Sequence, residues 1–481
     1  MFPFLLANGQ EFFIPEKRLV DWKPGVEKGI PDVKTKIEVS AENLKVDDAS
    51  KVIQKAVDSI EGPAAVQLPA GEFICRSTIY MKSGVVIRGK GSSSTRLIFD
   101  FKNSPPHPSI SFSGKGGRIL QIENDKLPVG STKIYVSKTD GLSIGDNILI
   151  TAENDKSIMN TYPKWNTEWA ARSWGQVLRI ASIKENIIET DVPLRLDYEK
   201  SRNPTIQKLE LLENAGLENL YLKRLDNGNA SMINIDKSIN CWISEIESED
   251  AMRSHIWIYN SRFLTVQNSE FHHAHSYGGG GHGYGVTAGK HTSDCLVTNN
   301  IFYSLRHSMM TKEGANGNVF SYNYSFDRKL PIPLIPGLCD ISIHGHYSHM
   351  NLFEGNVAEF INCADYWGPA GPYTTFFRNR VLFLFKAGDS SKFLNIVGNT
   401  IFTVPVIDSS CSEIWAAANR IEGKIEWGAV KPGKEIPPSL YLREKPSFWG
   451  DLPWPCIGAD VDKKADSFSP IPAQLRFRMK K

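Results

Sequence analysis

Residues 266–271 read VQNSEF, and the phrase returns as VTNNIF (297–302), SYNYSF (321–326), EGNVAE (354–359), FRNRVL (377–382), VGNTIF (397–402) and AANRIE (417–422). Its asparagines, Asn268, Asn299, Asn323, Asn356, Asn379, Asn399 and Asn419, stand 31, 24, 33, 23, 20 and 20 residues apart. A phrase with that period describes supersecondary units stacked on one another rather than one globular core. An amide repeated at one place of each turn can bond to the turns above and below. The large apolar residue three positions on (Phe271, Phe302, Phe326, Leu382 or Phe402) is expected to stack on its equivalents inside. This is the pattern of an all-β solenoid, the parallel β-helix.

The bulk numbers narrow the partners. The 481 residues include 55 basic and 53 acidic ones, a net charge of +2, so no global field favours nucleic acid or an anionic membrane. No stretch approaches the roughly 20 apolar residues of a membrane-crossing helix. The opening MFPFLLANGQEFF is too short in its apolar run, and lacks the basic start, for a signal peptide. The expected location is nonetheless secreted, periplasmic or at the cell surface, with a leader absent from this chain. Eleven Trp and 15 Tyr supply rings of the kind on which sugars stack. The seven cysteines show no metal spacing; Cys241 and Cys295 fall at one position of the repeat and read as core-facing thiols.

Around the ladder the chain divides into segments. Val52, Ile53, Ala56, Val57 and Ile60 recur at helical spacing behind Asp47 and Asp48, so 1–62 reads as an extension with a helix capping the first coil. Residues 63–116 hold short β runs broken by turns, the opening coils. Residues 117–198 interrupt the ladder with alternating strands and a Trp-rich stretch (Trp165, Trp169, Trp174), an inserted β-rich subdomain. Coils fill 199–428, and 429–481, with five prolines between 437 and 461, reads as a covering tail.

The strings LPAGEF (68–73), STIYMKSGVVIRGKG (77–91) and TRLIF (95–99) resemble the entry segment of the pectate-lyase-like right-handed β-helix superfamily. Its members are mostly polysaccharide lyases, glycosidases and phage tailspikes. The resemblance implies a right-handed coil, a polysaccharide partner and an oligomer, a homotrimer, as the assembly to test.

Chemistry is expected where the period is longest. The surplus of the 31- and 33-residue intervals falls just after the phrase, as HHAHSYGGGGHGYG (272–285) and DRKLPIPLIPGLC (327–339). Strands stack about 4.8 Å apart, so two excursions two coils apart stand roughly 10 Å apart and frame a groove one sugar wide. Counting along the coils places His282, Tyr284, Arg306, His307 and Asp340 on one strip. His344 and His346 follow on one face of ISIHGHY, and Asp365, Tyr366 and Trp367 one coil on. Six of the eleven histidines lie between 272 and 307, and histidine exchanges protons near neutral pH. The candidate catalytic set is Arg306, His307, Tyr284, His282, Asp340 and His344. His275, Tyr277, Lys290, Lys312, His346, Asp365, Tyr366 and Trp367 are candidate substrate contacts. HHAH lacks the helical spacing of a zinc site and no metal ligand is assigned; calcium is the one cofactor left open.

Lyases of uronate polymers remove the proton α to a carboxylate, which requires a cation on that carboxylate and a base within reach. Arg306 beside His307, with Tyr284 and Lys312, supplies those types. LRHS (305–308) resembles the Arg-His segment of the alginate and chondroitin lyase branch of the superfamily. There an Arg donates the proton and a Lys about one coil earlier is the base; here Lys290 lies sixteen residues before Arg306, short of one coil. The reading is a polysaccharide lyase acting by β-elimination. The alternatives are a glycoside hydrolase or transglycosidase using a carboxylate pair such as Asp340 and Asp365, and a non-catalytic adhesin or tailspike-like glycan binder. Glu354, at an apolar place of the phrase, reads as a buried carboxyl with a raised pKa packed near Arg378 or Arg380.

Overall fold

The computed structural model describes residues 13–103, 105–159, 162–329, 338–364 and 366–480. Leu296–Thr298, Ile301–Tyr303 and His307–Thr311 make one coil, its three strands turning onto three faces of a rod. Each pairs in parallel with its counterpart in the next coil, Val319–Ser321, Tyr324–Phe326 and Ile341–Ile343. Among the described residues, repetition of this step joins 31 strands into one continuous sheet, and parallel crossovers of this kind are right-handed. The core is a set of columns: Val266, Val297, Phe320, Phe353 and Phe376 on the first face, Phe271 and Phe302 on the second, Val286, Met309, Ile341 and Phe385 on the third. Rings stack coil on coil, Phe271 on Phe302 at 5.3 Å and Phe320 on Phe353 at 5.2 Å.

The asparagine ladder is present as expected from Asn323 to Asn419 and slips by one residue at its start. Asn300, Asn323, Asn356, Asn379, Asn399 and Asn419 form it, each Nδ2 donating to the next Oδ1 at 3.0–3.1 Å. Ile301 lies opposite Tyr324, which puts Asn300 and not Asn299 over Asn323; Asn299 bonds Asn268 instead, at 2.8 Å. One residue of slip exchanges the faces of a strand. Phe326, Leu382 and Phe402, expected inside, therefore point outward, and Ser325, Ala358, Val381 and Ile401 continue the column of Phe302.

At the start of the rod the helix Ala49–Asp58, N-capped by the Asp48 side chain, lays Ile53 and Val57 into the same core. At the other end the tail crosses the outside of the first face. Arg378 ties it down through the carbonyls of Ile436, Pro437 and Ile457 and the carboxylate of Asp460. The helix Pro472–Lys480 lies on the second face, with Phe477 against Tyr303 and Phe326. The cysteines are all free and six are buried. Cys241 and Cys295 do line the core, with Leu264 of the intervening coil between them.

Between the coils a six-stranded antiparallel sheet runs from Lys115 to Glu210 around its own core, which includes Ile134, Ile148, Ile150 and Leu178. Its strand Thr205–Glu210, read from sequence as part of the main helix, pairs antiparallel with Asn147–Ala152 and Lys115–Gln121. The sheet docks on the corner that follows the third face. Arg195 pairs with Asp294, Arg262 with Asp191 at 2.7 Å, and Trp174 stacks on Tyr347 at 4.4 Å.

Candidate functional site

Both excursions join a second-face strand to a third-face strand. The glycine-rich one links Glu270–Ala274 to Tyr284–Ala288, the proline-rich one Tyr324–Phe326 to Ile341–Ile343. Because these strands stack in register, both excursions leave from one corner, with Ser304, Leu305 and Arg306 of the middle coil between them. The proline-rich stretch 330–337 lies outside the described residues. The third face is thus flanked by the excursion corner on one side and the inserted sheet on the other.

Arg306, His307 and Tyr284 come together, and they are sunk into this corner at 7%, 1% and 3% exposure. Gly283 permits the packing: at φ +71° a Cβ there would stand 2.9 Å from Ser276 O and 3.4 Å from Arg306 Cβ. One Arg306 guanidinium nitrogen donates to Gly278 O, and its carbon lies 5.6 Å from the Tyr284 ring centre. The Tyr284 and His307 rings are 5.0 Å apart, and His344 follows 6.2 Å from His307. His307 Nδ1 is 2.8 Å from Cys339 O. A carbonyl only accepts, so the proton sits on Nδ1 and the lone pair on Nε2; the 3.4 Å approach of Cys339 N–H to the same atom is then a contact, not a bond.

The other candidates scatter more. His282 rims the glycine-rich excursion, 3.3 Å from Asn229 Oδ1, its pKa lowered by burial and by Arg253 and Arg306. Lys312 Nζ pairs with Glu313 at 2.8 Å and stands 4.4 Å from the Trp169 ring and 5.4 Å from that of Trp257. Trp367 meets Trp169 edge-on at 5.3 Å and lies 6.4 Å from His344. Tyr366 is exposed, with Lys164 over its ring at 4.0 Å. Tyr277 is half-buried, its hydroxyl accepting from Ala274 N at 3.1 Å, and burial raises its pKa. Lys290 sits at the far end of the third face, where its carbonyl accepts from Asn260 N at 2.7 Å. Asp365 lies outside the described residues.

Three placements correct the sequence reading. Asp340 is opposite Ser308, not His307, and this column turns into the rod: its carboxyl accepts from Ser325 Oγ at 2.5 Å and Phe360 N at 2.8 Å. Burial pushes its pKa up to about 6. His346 does not share a face with His344, because the strand ends at Ile343. It is fully buried, with Nε2 donating to Trp165 O at 3.0 Å, and fastens the inserted sheet. His275 is turned to the preceding coils, bonding Arg224 O at 2.9 Å.

Sequence counting missed Trp257, Arg253 and Trp169. Trp257 faces out between the core residues Ile256 and Ile258, with the Arg253 guanidinium 4.2 Å from its ring; alternation in HIWIY carried that signal. Trp169 arrives from the inserted sheet, and no spacing links residue 169 to residue 312. Glu354 is fully buried, but under the tail on the first face, where it accepts from Tyr322 OH and Leu440 N. Burial raises its pKa to about 7. It stacks in the column of Thr298 and Ser321, not that of Val297, again by the one-residue slip.

No protein-family model matches the chain, and no curated protein matches its sequence. Among solved structures it is similar to the tailspike gp61 of Pseudomonas phage phi297, with TM-score 0.56 and 11% identity over 78% of this chain and 68% of that one. It is also similar to the Gp54 tailspike of Acinetobacter baumannii bacteriophage AP22, solved in complex with a capsular saccharide, with TM-score 0.55 and 13% identity. Coverage there is 79% of this chain and 64% of the tailspike chain, so this chain spans less than two thirds of that protein. The tailspike gp49 of Pseudomonas phage LKA1 gives TM-score 0.51 at 14% identity over 78% and 71%. At these identities the likeness is one of fold: the chain is a right-handed parallel β-helix.

Proposed function

We propose that the chain is a carbohydrate-active enzyme, a polysaccharide lyase that binds a uronate-containing glycan along the third face and cleaves it by β-elimination at His307 and Tyr284. The observation that carries this reading is the Tyr284–His307 ring pair at 5.0 Å, with Nδ1 of His307 held by Cys339 O. That arrangement sets an imidazole and a phenol, a base and an acid by chemistry, side by side. Arg306 and Arg253 bring positive charge to this corner, Lys312 stands at the far end of the His307 strand, and Trp169 and Trp367 offer ring faces for sugars. Of the carboxylate pair that a hydrolase reading would use, Asp340 points into the rod, which favours elimination over hydrolysis. The saccharide held by the AP22 tailspike is consistent with a glycan on this scaffold.

A panel of uronate-containing and neutral polysaccharides tests it. The expected result is the ultraviolet absorbance of an unsaturated uronate end group with one polymer, abolished in Arg306→Ala and His307→Ala. New reducing ends without that absorbance would replace elimination by hydrolysis. Glycan retention without cleavage would leave only a binding role.

A further inference from the structure

The second face carries on its outside a charged ladder that the groove does not use. Glu247 and Glu270 lie opposite one another on adjacent coils, with His272 two residues beyond Glu270 on the same side of its strand. One ligand atom from each of these three side chains falls within 4.8 Å of the other two. Spacing within HHAH could not show this, because Glu247 comes from the coil before.

The imidazole is fixed before any ion arrives. It is buried, stacked on Tyr303 at 4.6 Å with the rings 11° from parallel, and its Nδ1 is 2.9 Å from His273 Nδ1. Nε2 is thereby turned to Glu247 Oε1, at a loose 3.4 Å. A second, independent feature is that a cation already sits there. Lys480 Nζ bonds Glu270 Oε2 and lies 3.4 Å from Glu247 Oε2. Lys480 ends its helix, and the helix is held without it, by Phe477 against Tyr303 and Phe326 and by Arg476 on Asn299 O at 2.6 Å. The ammonium can therefore swing away without unseating the helix.

We propose that Glu247, Glu270 and His272 form a site for a divalent transition-metal ion, with the Lys480 ammonium as its built-in competitor. Two carboxylates and one imidazole suit Mn²⁺ or Zn²⁺ rather than Ca²⁺, which takes oxygen ligands in larger number. The ion carries two charges where the ammonium carries one, so it neutralises both carboxylates. Its ligands must be deprotonated, so affinity falls as the solution is acidified. The bound ion would clasp two adjacent coils and release the last turn of the helix Pro472–Lys480.

The 481-residue chain titrated with Mn²⁺, read by loss of the free-ion electron paramagnetic resonance signal, tests this. Mn²⁺ avoids thiols, so the seven cysteines do not compete. One ion per chain is expected, bound about tenfold more tightly in Lys480→Ala and at least tenfold more weakly in Lys480→Ala with Glu270→Gln. Equal affinity of wild type and Lys480→Ala, or full affinity with Glu270 replaced, overturns the proposal. Matching circular dichroism and melting establish that each variant is folded, and His272→Gln replaces Glu270→Gln if that variant is not.

Discussion

The imidazole of His307 and the carbonyl of Cys339 are 2.8 Å apart although 32 residues separate them in sequence. Cys339 ends the proline-rich excursion, so the residue that leads into the next coil also sets the tautomer of the imidazole beside it. A base held in one tautomer loses its function when the ring is replaced, while contacts to the rest of the glycan persist. His307→Gln is therefore expected to lower kcat by roughly 10²- to 10⁴-fold with KM little changed. A rise in KM alone, at wild-type kcat, would make His307 a binding residue.

Trp169 and Trp257 bracket the Lys312 ammonium at 4.4 and 5.4 Å. An ammonium near two indoles is worth about 1–2 kcal/mol where water is excluded. Trp169→Ala leaves Lys312 its Glu313 partner but removes the ring that comes from the inserted sheet. The expected outcome is a KM, or a glycan dissociation constant, raised roughly fivefold to thirtyfold at constant kcat. An unchanged constant would remove the inserted sheet from the binding surface.

The rod and its excursions were legible because repetition is a sequence property: the phrase around Asn323 and Asn356 repeats whatever the chain does elsewhere. Register was not. VTNNIF offers two asparagines, and choosing Asn299 over Asn300 sends Phe326 inside, when it points outward. Equal counts back from Asn323 and Asn356 pair Asp340 with His307 on the groove, when its partner is Ser308. The arbiter is side-chain packing between coils, which no linear count contains. Arg306, His307 and Tyr284 came through because they lie within two coils of the phrase. Trp169 did not, since it reaches the site from a separate sheet.

The ladder itself can be priced at Asn356. Its Oδ1 accepts from the backbone N–H and the side-chain amide of Asn323, and its Nδ2 donates to Phe320 O and Asn379 Oδ1. Asn356→Ala strands these groups at a fully buried position, an expected loss of about 2–4 kcal/mol in urea unfolding. Asn356→Asp faces a carboxylate with two acceptors and should cost more. If aspartate is the milder change, the hydrogen-bonding polarity assigned to the ladder is wrong.

His255 is sealed inside the rod, accepting at Nδ1 from Ser248 Oγ at 2.7 Å and donating from Nε2 to His273 O at 3.0 Å. Burial lowers its pKa from 6.5 to about 3. The unfolded chain binds a proton that the folded one refuses, so stability is full above pH 6.5 and is lost as the pH falls towards 3. His255→Gln should make the acid limb shallower by up to about 1.4 kcal/mol per pH unit. Identical acid limbs in the two proteins would mean that His255 is protonated in the fold.

Glu354 acts with the opposite sign. Its carboxyl is enclosed by Tyr322 and the tail backbone at Leu440, and burial raises its pKa from 4.5 to about 7. Between those values the folded protein holds a proton that the unfolded chain releases. Its contribution is thus complete below pH 4.5 and is lost as the pH climbs to 7, roughly 3 kcal/mol in all. Gln is neutral like the protonated carboxyl, keeps an acceptor for Leu440 N, and does not titrate. Glu354→Gln should match wild type near pH 4.5 and exceed it by about 3 kcal/mol at pH 8 in urea midpoints. Because Leu440 belongs to the tail, proteolysis between residues 437 and 461 should accelerate over the same pH range in wild type only. Parallel pH profiles for the two proteins would show that the carboxyl is ionised in place, its charge compensated by Arg378.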